Sequence, residues 1–196
     1  AGDGYTLLFH HIGMSTAPSL YRKLDFKPLE DFIPIGAVVD VPMTLIAKPQ
    51  TTQTNAKDLL AYIRANKEKI NLANAGVGSA SHLCGLLLQN AMKTDLTTVP
   101  FSGTGPAMTA LLGGNVDIMC DQTTNTTGQI KGGKVKAVAV TSKNKLANFP
   151  DLPPLASELP GFEVGVWHIL YAPKNTPADV VTKLQSALQA SIKDPS

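Results

Sequence analysis

The chain has 196 residues, 43% of them hydrophobic and 16% charged, with 17 Lys and Arg against 15 Asp and Glu for a formal net charge of +2. That balance describes a folded globular chain and excludes a disordered one; no apolar run approaches the ~20 residues of a membrane-spanning helix. Lys and Arg are scattered between Arg22 and Lys193 without forming a run, which sets nucleic-acid binding aside. The length allows one substantial α/β domain, or one complete domain with parts of a second. The opening AGDGYTLLF lacks the form of a secretory leader, so an exported protein is expected to have shed its signal.

Short β-branched runs alternate with amphipathic segments, the pattern of a parallel sheet covered by helices, and the fold class expected is α/β. Strands are expected at 6–9, 35–47, 70–73, 97–101, 116–120, 135–141 and 163–172. The second and the last, IGAVVDVPMTLIA and EVGVWHILYA, are long enough to pass from one domain into another. Thr54 can cap a helix with Leu59, Leu60 and Ile63 on one face, and Ser79 one carrying Leu83, Leu86, Leu87 and Ala91. Pro106 at a first helical position and Gly113 with Gly114 past the end bracket a short helix, MTALL. Thr176, Pro177 and Asp179 start a last helix carrying Val180, Leu184, Leu188 and Ile192. The proline-rich stretch 148–160 reads as a surface connection with one helical turn. Cys84 and Cys120 are too far apart for a CxxC site and have no ligand pair for zinc beside them. Each lies in an apolar stretch, so buried free thiols are the expected state, with a disulfide as the alternative that an oxidising compartment permits.

Four stretches hold polar groups where a ligand could meet them. AGVGSASH, 75–82, follows a strand and opens a helix; Gly76 and Gly78 let the backbone approach a ligand while the first helical N–H groups point at it, which suits an anion. The same two glycines also serve where they only make a turn. FSGTGPAM, 101–108, repeats the order of strand end, glycines and helix start. Both loops should emerge at the carboxyl edge of the strands, where ligands of open α/β sheets bind. Neither is a Walker A loop or a dinucleotide fingerprint, so a nucleotide cofactor is not expected. HHIGMST follows the first strand, and its adjacent histidines alternate faces, so His10 and His11 are not a ready metal pair; one of them can donate to a ligand carboxylate or sit as an ordinary histidine. In VDIMCDQTT, Asp121 and Gln122 fall at a strand end and can reach a ligand, whereas Asp117 serves as readily in capping. Ser79 or Ser81 beside His82 invites a nucleophile reading, yet neighbours at a helix start do not set a hydroxyl against an imidazole, and the G-x-S-x-G elbow is missing. No catalytic constellation is expected.

Taken in order, NLANAGVGSASHL, VPFSGTGPAMTALLGGNVDIM and VKAVAVTSKNKLANFPDLPPLASELPGFEVGVWHILYAPKNTPADVV resemble the signature segments of the Bug (TctC-like) family, the solute-binding receptors of tripartite tricarboxylate transporters. AGDGYTLLF, APSLYRKL and DFIPIGAVVDVPMTLIAKP fit the same register, so the resemblance spans the chain. It implies a type II periplasmic-binding (Venus-flytrap) fold with two lobes joined by two crossover strands. Residues 1–40 and 173–196 would form part of a first lobe and 41–172 the second, with hinge strands at 41–47 and 166–172. Members of the family begin upstream and continue downstream of these segments, so the sequence is expected to be truncated at both ends.

The resemblance further implies a periplasmic receptor that captures a small carboxylate in an interlobe cleft, whether a di- or tricarboxylate, an amino acid or an aromatic acid. It would deliver that ligand to the membrane components of a transporter, with no nucleic acid and no metal involved. Carried over by position, the ligand contacts are Gly76, Gly78, Ser79, Ala80 and His82, then Ser102, Gly103 and Thr104, with Asp121 and Gln122 nearby and His10, His11 and Gly13 from the first lobe. Two other classes compete with this reading. One is the ligand-sensing effector domain of a LysR-type regulator, and the other a serine hydrolase built on Ser79 and His82.

Overall fold

The computed structural model describes residues 2–194, so Ala1, Pro195 and Ser196 at the edges of the expected first lobe lie outside the described residues. The chain divides into two compact units, one of Ala1–Asp40 with Val166–Ser196 and one of Val41–Gly165. The stretch 166–172 therefore groups with the terminal unit and not with the central one.

In the terminal unit, strand β1 (Leu8–His11) pairs antiparallel with β7 (Gly165–Pro173), setting Leu8 against Tyr171 and His11 against His168. The first strand thus starts two residues later than expected and carries His10 and His11 within it, because the cross-strand partners of β7 extend the ladder that far. Helix α1 (Gly13–Leu20) was not expected: it contains Pro18 and has no side-chain N-cap, so it offers none of the usual boundary signals. Strand β2 (Phe32–Ala47) leaves this unit after Asp40. Helix α6 (Ala178–Lys193) starts behind Pro177 as expected, but none of its residues is buried, Val180, Leu184, Leu188 and Ile192 included. Lys174 ties the connection before it to Asp31 through a backbone bond of 3.0 Å and an ion pair of 3.1 Å.

The central unit is built on a mixed sheet, not on the purely parallel one that the alternation suggested. Strands β4 (Thr97–Pro100), β3 (Asn71–Asn74) and β5 (Ile118–Gln122) lie side by side and parallel. The end of β2 adds antiparallel to β5 and carries β6 (Lys136–Val140) antiparallel on its other edge. Parallel neighbours require crossover connections, here α3 (Ala80–Met92) from β3 to β4 and α4 (Thr104–Leu112) from β4 to β5. Helix α2 (Ala56–Ala65) buries Leu59, Leu60 and Ile63 as expected, but its cap is Asn55 and not Thr54: the Asn55 side chain accepts from the Asp58 N–H at 2.9 Å. Helix α4 begins two residues before Pro106. Helix α5 (Thr123–Lys131) escaped the sequence reading because its threonines favour no helix; the Thr126 and Thr127 hydroxyls donate back to the carbonyls of Gln122 and Thr123.

Period-two alternation assigns the two faces of this sheet to different helices. Ala73 and Met119 pack with Ile46, Ala107, Met108 and Leu111 on the α4 side. On the other face α3 buries Ala80, Cys84, Leu88 and Met92 at steps of four, with Ser81 and Gly85 beside them, while none of the expected Leu83, Leu86, Leu87 and Ala91 is buried, Leu86 and Leu87 being 43% and 47% exposed. That face is fixed by a disulfide between Cys84 and Cys120, with Cα atoms 6.1 Å apart, and the expectation of two free thiols is overturned. Neither cysteine's neighbours in sequence announce that Cys84 on α3 points at β5. The stretch 148–160 does contain a 3-10 turn, Leu155–Ser157, but it is anchored and no mere surface connection, since Phe149, Leu155 and Leu159 are buried.

Candidate functional site

Three parallel strands end on one edge of the central unit, and each runs into the N-terminus of a helix of at least nine residues. From β3 the chain turns through Ala75 to Gly78 into α3. Gly76 has φ +112° and Gly78 +80°, and a Cβ on Gly76 would stand 3.1 Å from the Phe101 carbonyl of the next loop, so glycine is needed there for backbone and for space. The loop is locked from within: Asn74 Oδ1 accepts the Gly76 N–H at 2.9 Å, Ser81 Oγ accepts the Ala75 N–H at 2.8 Å, and the Gly76 carbonyl accepts the Ser79 N–H at 3.1 Å. Ser79 caps α3 as expected, its hydroxyl accepting the His82 N–H at 3.2 Å.

The second loop, Phe101 to Gly103, is tied to the first where the Phe101 N–H donates to the Asn74 carbonyl at 2.9 Å. Gly103, at φ +139°, precedes α4, and Gln122 precedes α5; neither helix has a side-chain cap. Their first-turn N–H groups, which lack intrahelical acceptors, leave a partial positive charge at the edge that an anion can neutralise.

Asp121 lies at the base of this edge, 1% exposed, as the penultimate residue of β5 before α5. Its Oδ1 accepts the Gln122 N–H at 2.7 Å and the Asn125 side-chain amide at 3.3 Å, while Oδ2 is buried without a hydrogen bond. Burial pushes its pKa above the ordinary carboxylate value, against the opposing pull of the Gln122 N–H, the Thr104 hydroxyl and Asn125. Gly76, Gly78, Ser79, Ala80, His82, Ser102, Gly103, Thr104, Asp121 and Gln122 therefore all fall on the loops and helix starts of one sheet edge. Asn74 and Asn125 belong with them and were missed; an Asn directly before the glycine loop, and one in the first turn of an unrecognised helix, carry no spacing signal of their own. Asp117, by contrast, sits at the opposite edge, where it takes the Lys48 ammonium at 2.6 Å and the Asn71 N–H at 2.8 Å.

His82 Nδ1 accepts the Gly78 N–H at 3.2 Å, so the neutral ring carries its proton on Nε2, and burial lowers its pKa. Ser79 Oγ and the imidazole thus face different backbone N–H groups, and the geometry of a serine nucleophile with its base is not formed. In the terminal unit His11 repeats the device: its Nδ1 accepts the Gly13 N–H at 3.0 Å, and burial, then the charges of His10 and His168, lower its pKa. His10 donates from Nδ1 to the His11 carbonyl at 3.1 Å, and the two rings stack with centroids 4.6 Å apart. His168, which the sequence reading did not single out, stacks on Phe9 at 5.3 Å. Gly13 is buried at the start of α1.

The Tripartite tricarboxylate transporter family receptor (TctC) profile matches residues 1–196. The UPF0065 protein of the TAR-I ttuE-ttuC' intergenic region of Agrobacterium vitis is 46% identical over 194 residues, which are 98% of this chain and 56% of that protein. The structure of the periplasmic binding protein BugD superposes on all of the chain with a TM-score of 0.92 and 54% identity, covering 66% of BugD. MatC from Rhodopseudomonas palustris, solved with bound malate, gives 0.89 and 39%, again over all of this chain and 67% of MatC. The chain thus spans a little over half of the curated relative. Its sequence and its fold agree on one assignment: the chain belongs to the TctC family of tripartite tricarboxylate transporter receptors, which includes the Bug proteins.

Proposed function

We propose that this protein is a periplasmic receptor that captures a small carboxylate at the edge where β3, β4 and β5 meet the starts of α3, α4 and α5, and hands it to the membrane components of a transporter. The observation that carries the reading is the convergence of three helix N-termini, two of them without a side-chain cap, on one glycine-lined edge. Such an edge can hold a carboxylate through backbone N–H groups and hydroxyls with no arginine; the chain's two arginines, Arg22 and Arg64, lie in other segments. MatC binding malate, a small dicarboxylate, supports the ligand class. Ser79, Ser102, Gly103 and Thr104 would meet the carboxylate, with His82 donating from Nε2; His10, His11 and Gly13 are the candidates from the terminal unit. Among the described residues no helix is long and apolar enough to cross a membrane, which is compatible with a receptor working beside its transporter.

The test is thermal-shift screening of the full-length protein against mono-, di- and tricarboxylates, because a ligand that binds only the folded state raises its melting temperature. A shift of several degrees with one class, lost in Ser79→Ala at the same ligand concentration, is the expected result. Ser79→Ala removes the cap of α3 at a cost of about 1 kcal/mol, so each variant is compared with its own unliganded melting temperature. If no carboxylate shifts the wild type, the receptor reading falls.

A further inference from the structure

An anion site built from helix N-termini gains nothing from an acidic group beneath it, yet Asp121 is placed there and is 1% exposed. Its two oxygens are treated differently. Oδ1 accepts from Gln122 and Asn125, and the Thr104 hydroxyl beside them also favours the charged form, whereas Oδ2 is buried with no partner within hydrogen-bond distance among the described residues. A buried, unpartnered carboxylate oxygen loses its hydration without compensation, and adding a proton removes most of that cost. Oδ2 is too enclosed for a ligand atom to reach, so what it can exchange with solvent is a proton.

Resting on the carboxylate-receptor reading, we propose that ligand binding is coupled to proton uptake: a carboxylate enters the edge together with one proton, which is taken up by Asp121 at Oδ2. The same helix N-termini stabilise either the Asp121 charge or the ligand charge, and two carboxylates in one small site favour the state in which one of them is neutral. The proton comes from solvent, and no other bond is made or broken. Affinity is then highest where Asp121 is already protonated and falls as the pH rises past its raised pKa, by up to about tenfold per pH unit for one linked proton.

The groups around Asp121 leave His82 as a competitor for this linkage, and His10 and His11, the candidate ligand contacts of the terminal unit, are two more. From β2 come Met43, Thr44 and Leu45, from β3 Asn74, and from α4 the titration-free stretch Thr104–Leu112. Helix α5 carries Lys131 only at its far end and β6 carries Lys136 only at its start, which pairs with Ala47 and not with Thr44, the residue opposite Asp121. Lys143, Lys145 and Glu163, beyond β6, are exposed. From α3 comes His82, with Cys84 held in the disulfide. A neutral histidine can itself take up a proton when an anion arrives, so these groups have to be separated from Asp121.

The experiment is calorimetric titration of the full-length protein with the carboxylate found by thermal shift, run at each of several pH values in buffers of different ionisation enthalpy, which counts protons taken up per ligand. The wild type is expected to take up protons above the Asp121 pKa and to lose affinity there. His82→Gln is expected to keep that uptake, and Asp121→Asn to lose it while its affinity becomes flat over the same pH range. Binding without proton uptake in the wild type overturns the inference and leaves the receptor reading intact, as does an uptake unchanged in Asp121→Asn. If Asp121→Asn does not fold, an uptake kept in His82→Gln, His10→Gln and His11→Gln still assigns the proton to Asp121, and an uptake lost in any one of them overturns the inference. Absence of binding by any carboxylate removes both readings together.

Discussion

At the scale of single residues, several side chains of the edge are held by hydrogen bonds within the loop itself, which leaves the His82 Nε2–H as a free donor direction among the described residues. Ser79 caps, Ser81 holds Ala75, Asn74 holds Gly76, and His82 accepts from Gly78. This has a consequence for pH. The folded protein depresses the His82 pKa below 6.5 because burial penalises the imidazolium, while the unfolded chain keeps the ordinary value. Below about pH 6.5 the unfolded state therefore binds more protons, so the contribution of His82 to stability is complete above 6.5 and is lost as the pH falls toward its folded value. The unliganded melting temperature of the wild type should drop relative to His82→Gln between pH 7.5 and 5.5. A difference that stays constant across that range would show that the imidazole is not held neutral. The sequence made Ser79 and His82 legible because a capping serine at a strand-to-helix turn has a local pattern. It hid the tautomer of His82 and the orphaned oxygen of Asp121, since both depend on which groups a loop brings together and not on spacing along the chain.

Element by element, the parallel trio and the existence of helices α2, α3, α4 and α6 were readable, though not the cap of α2 or the buried face of α3, whereas α1 and α5 were not readable: one contains Pro18 and the other is more than half threonine and asparagine. Strands β2 and β6 were legible at 35–47 and 135–141, but their antiparallel direction was not, since a run of β-branched residues does not state the direction of its neighbour. The least legible link between elements is the disulfide joining α3 to β5 across 36 residues of sequence. Closing a loop of that length restricts the unfolded chain by roughly 4 kcal/mol in the chain-entropy account. Because α3 carries the Ser79 cap, its seating on β5 also fixes the height of the glycine loop above Cys120 and Asp121. Replacing both cysteines by alanine should therefore lower the melting temperature by roughly 10 °C for a chain of this size, and reduction should lower that of the wild type but leave the double variant unmoved. A loss below about 1 kcal/mol would mean that packing of Ala80, Leu88 and Met92 alone seats the helix.

For the whole molecule, the two units differ in how much of their apolar surface they hide. Every large side chain that is fully buried, from Met43 and Leu45 through Ile118 and Met119 to Leu155, belongs to the central unit. The terminal unit buries Met14, Ile35, Val166 and Tyr171, but its longest helix is only partly buried, with Val180 packed over Gly4 and Leu188 over Gly36, and Tyr5 and Leu29 are 95% and 96% exposed. Helical propensity alone holds a segment of this length only marginally in water; packing of an apolar face normally supplies the rest. Amide hydrogen exchange of this 196-residue chain should then be graded by unit. The amides of β3, β5 and the central half of β2 should exchange only through global unfolding, while those of α6 should exchange by local opening several orders of magnitude faster, with little response to denaturant. The chain spans a little over half the length of its curated relative; if a longer protein covers Val180, Leu184 and Leu188, its α6 should exchange more slowly than the α6 of these 196 residues alone. Equal, slow exchange of α6 in both proteins would show that the helix is stabilised by its contacts within this chain, and would remove the reason for assigning its apolar face to the rest of the receptor.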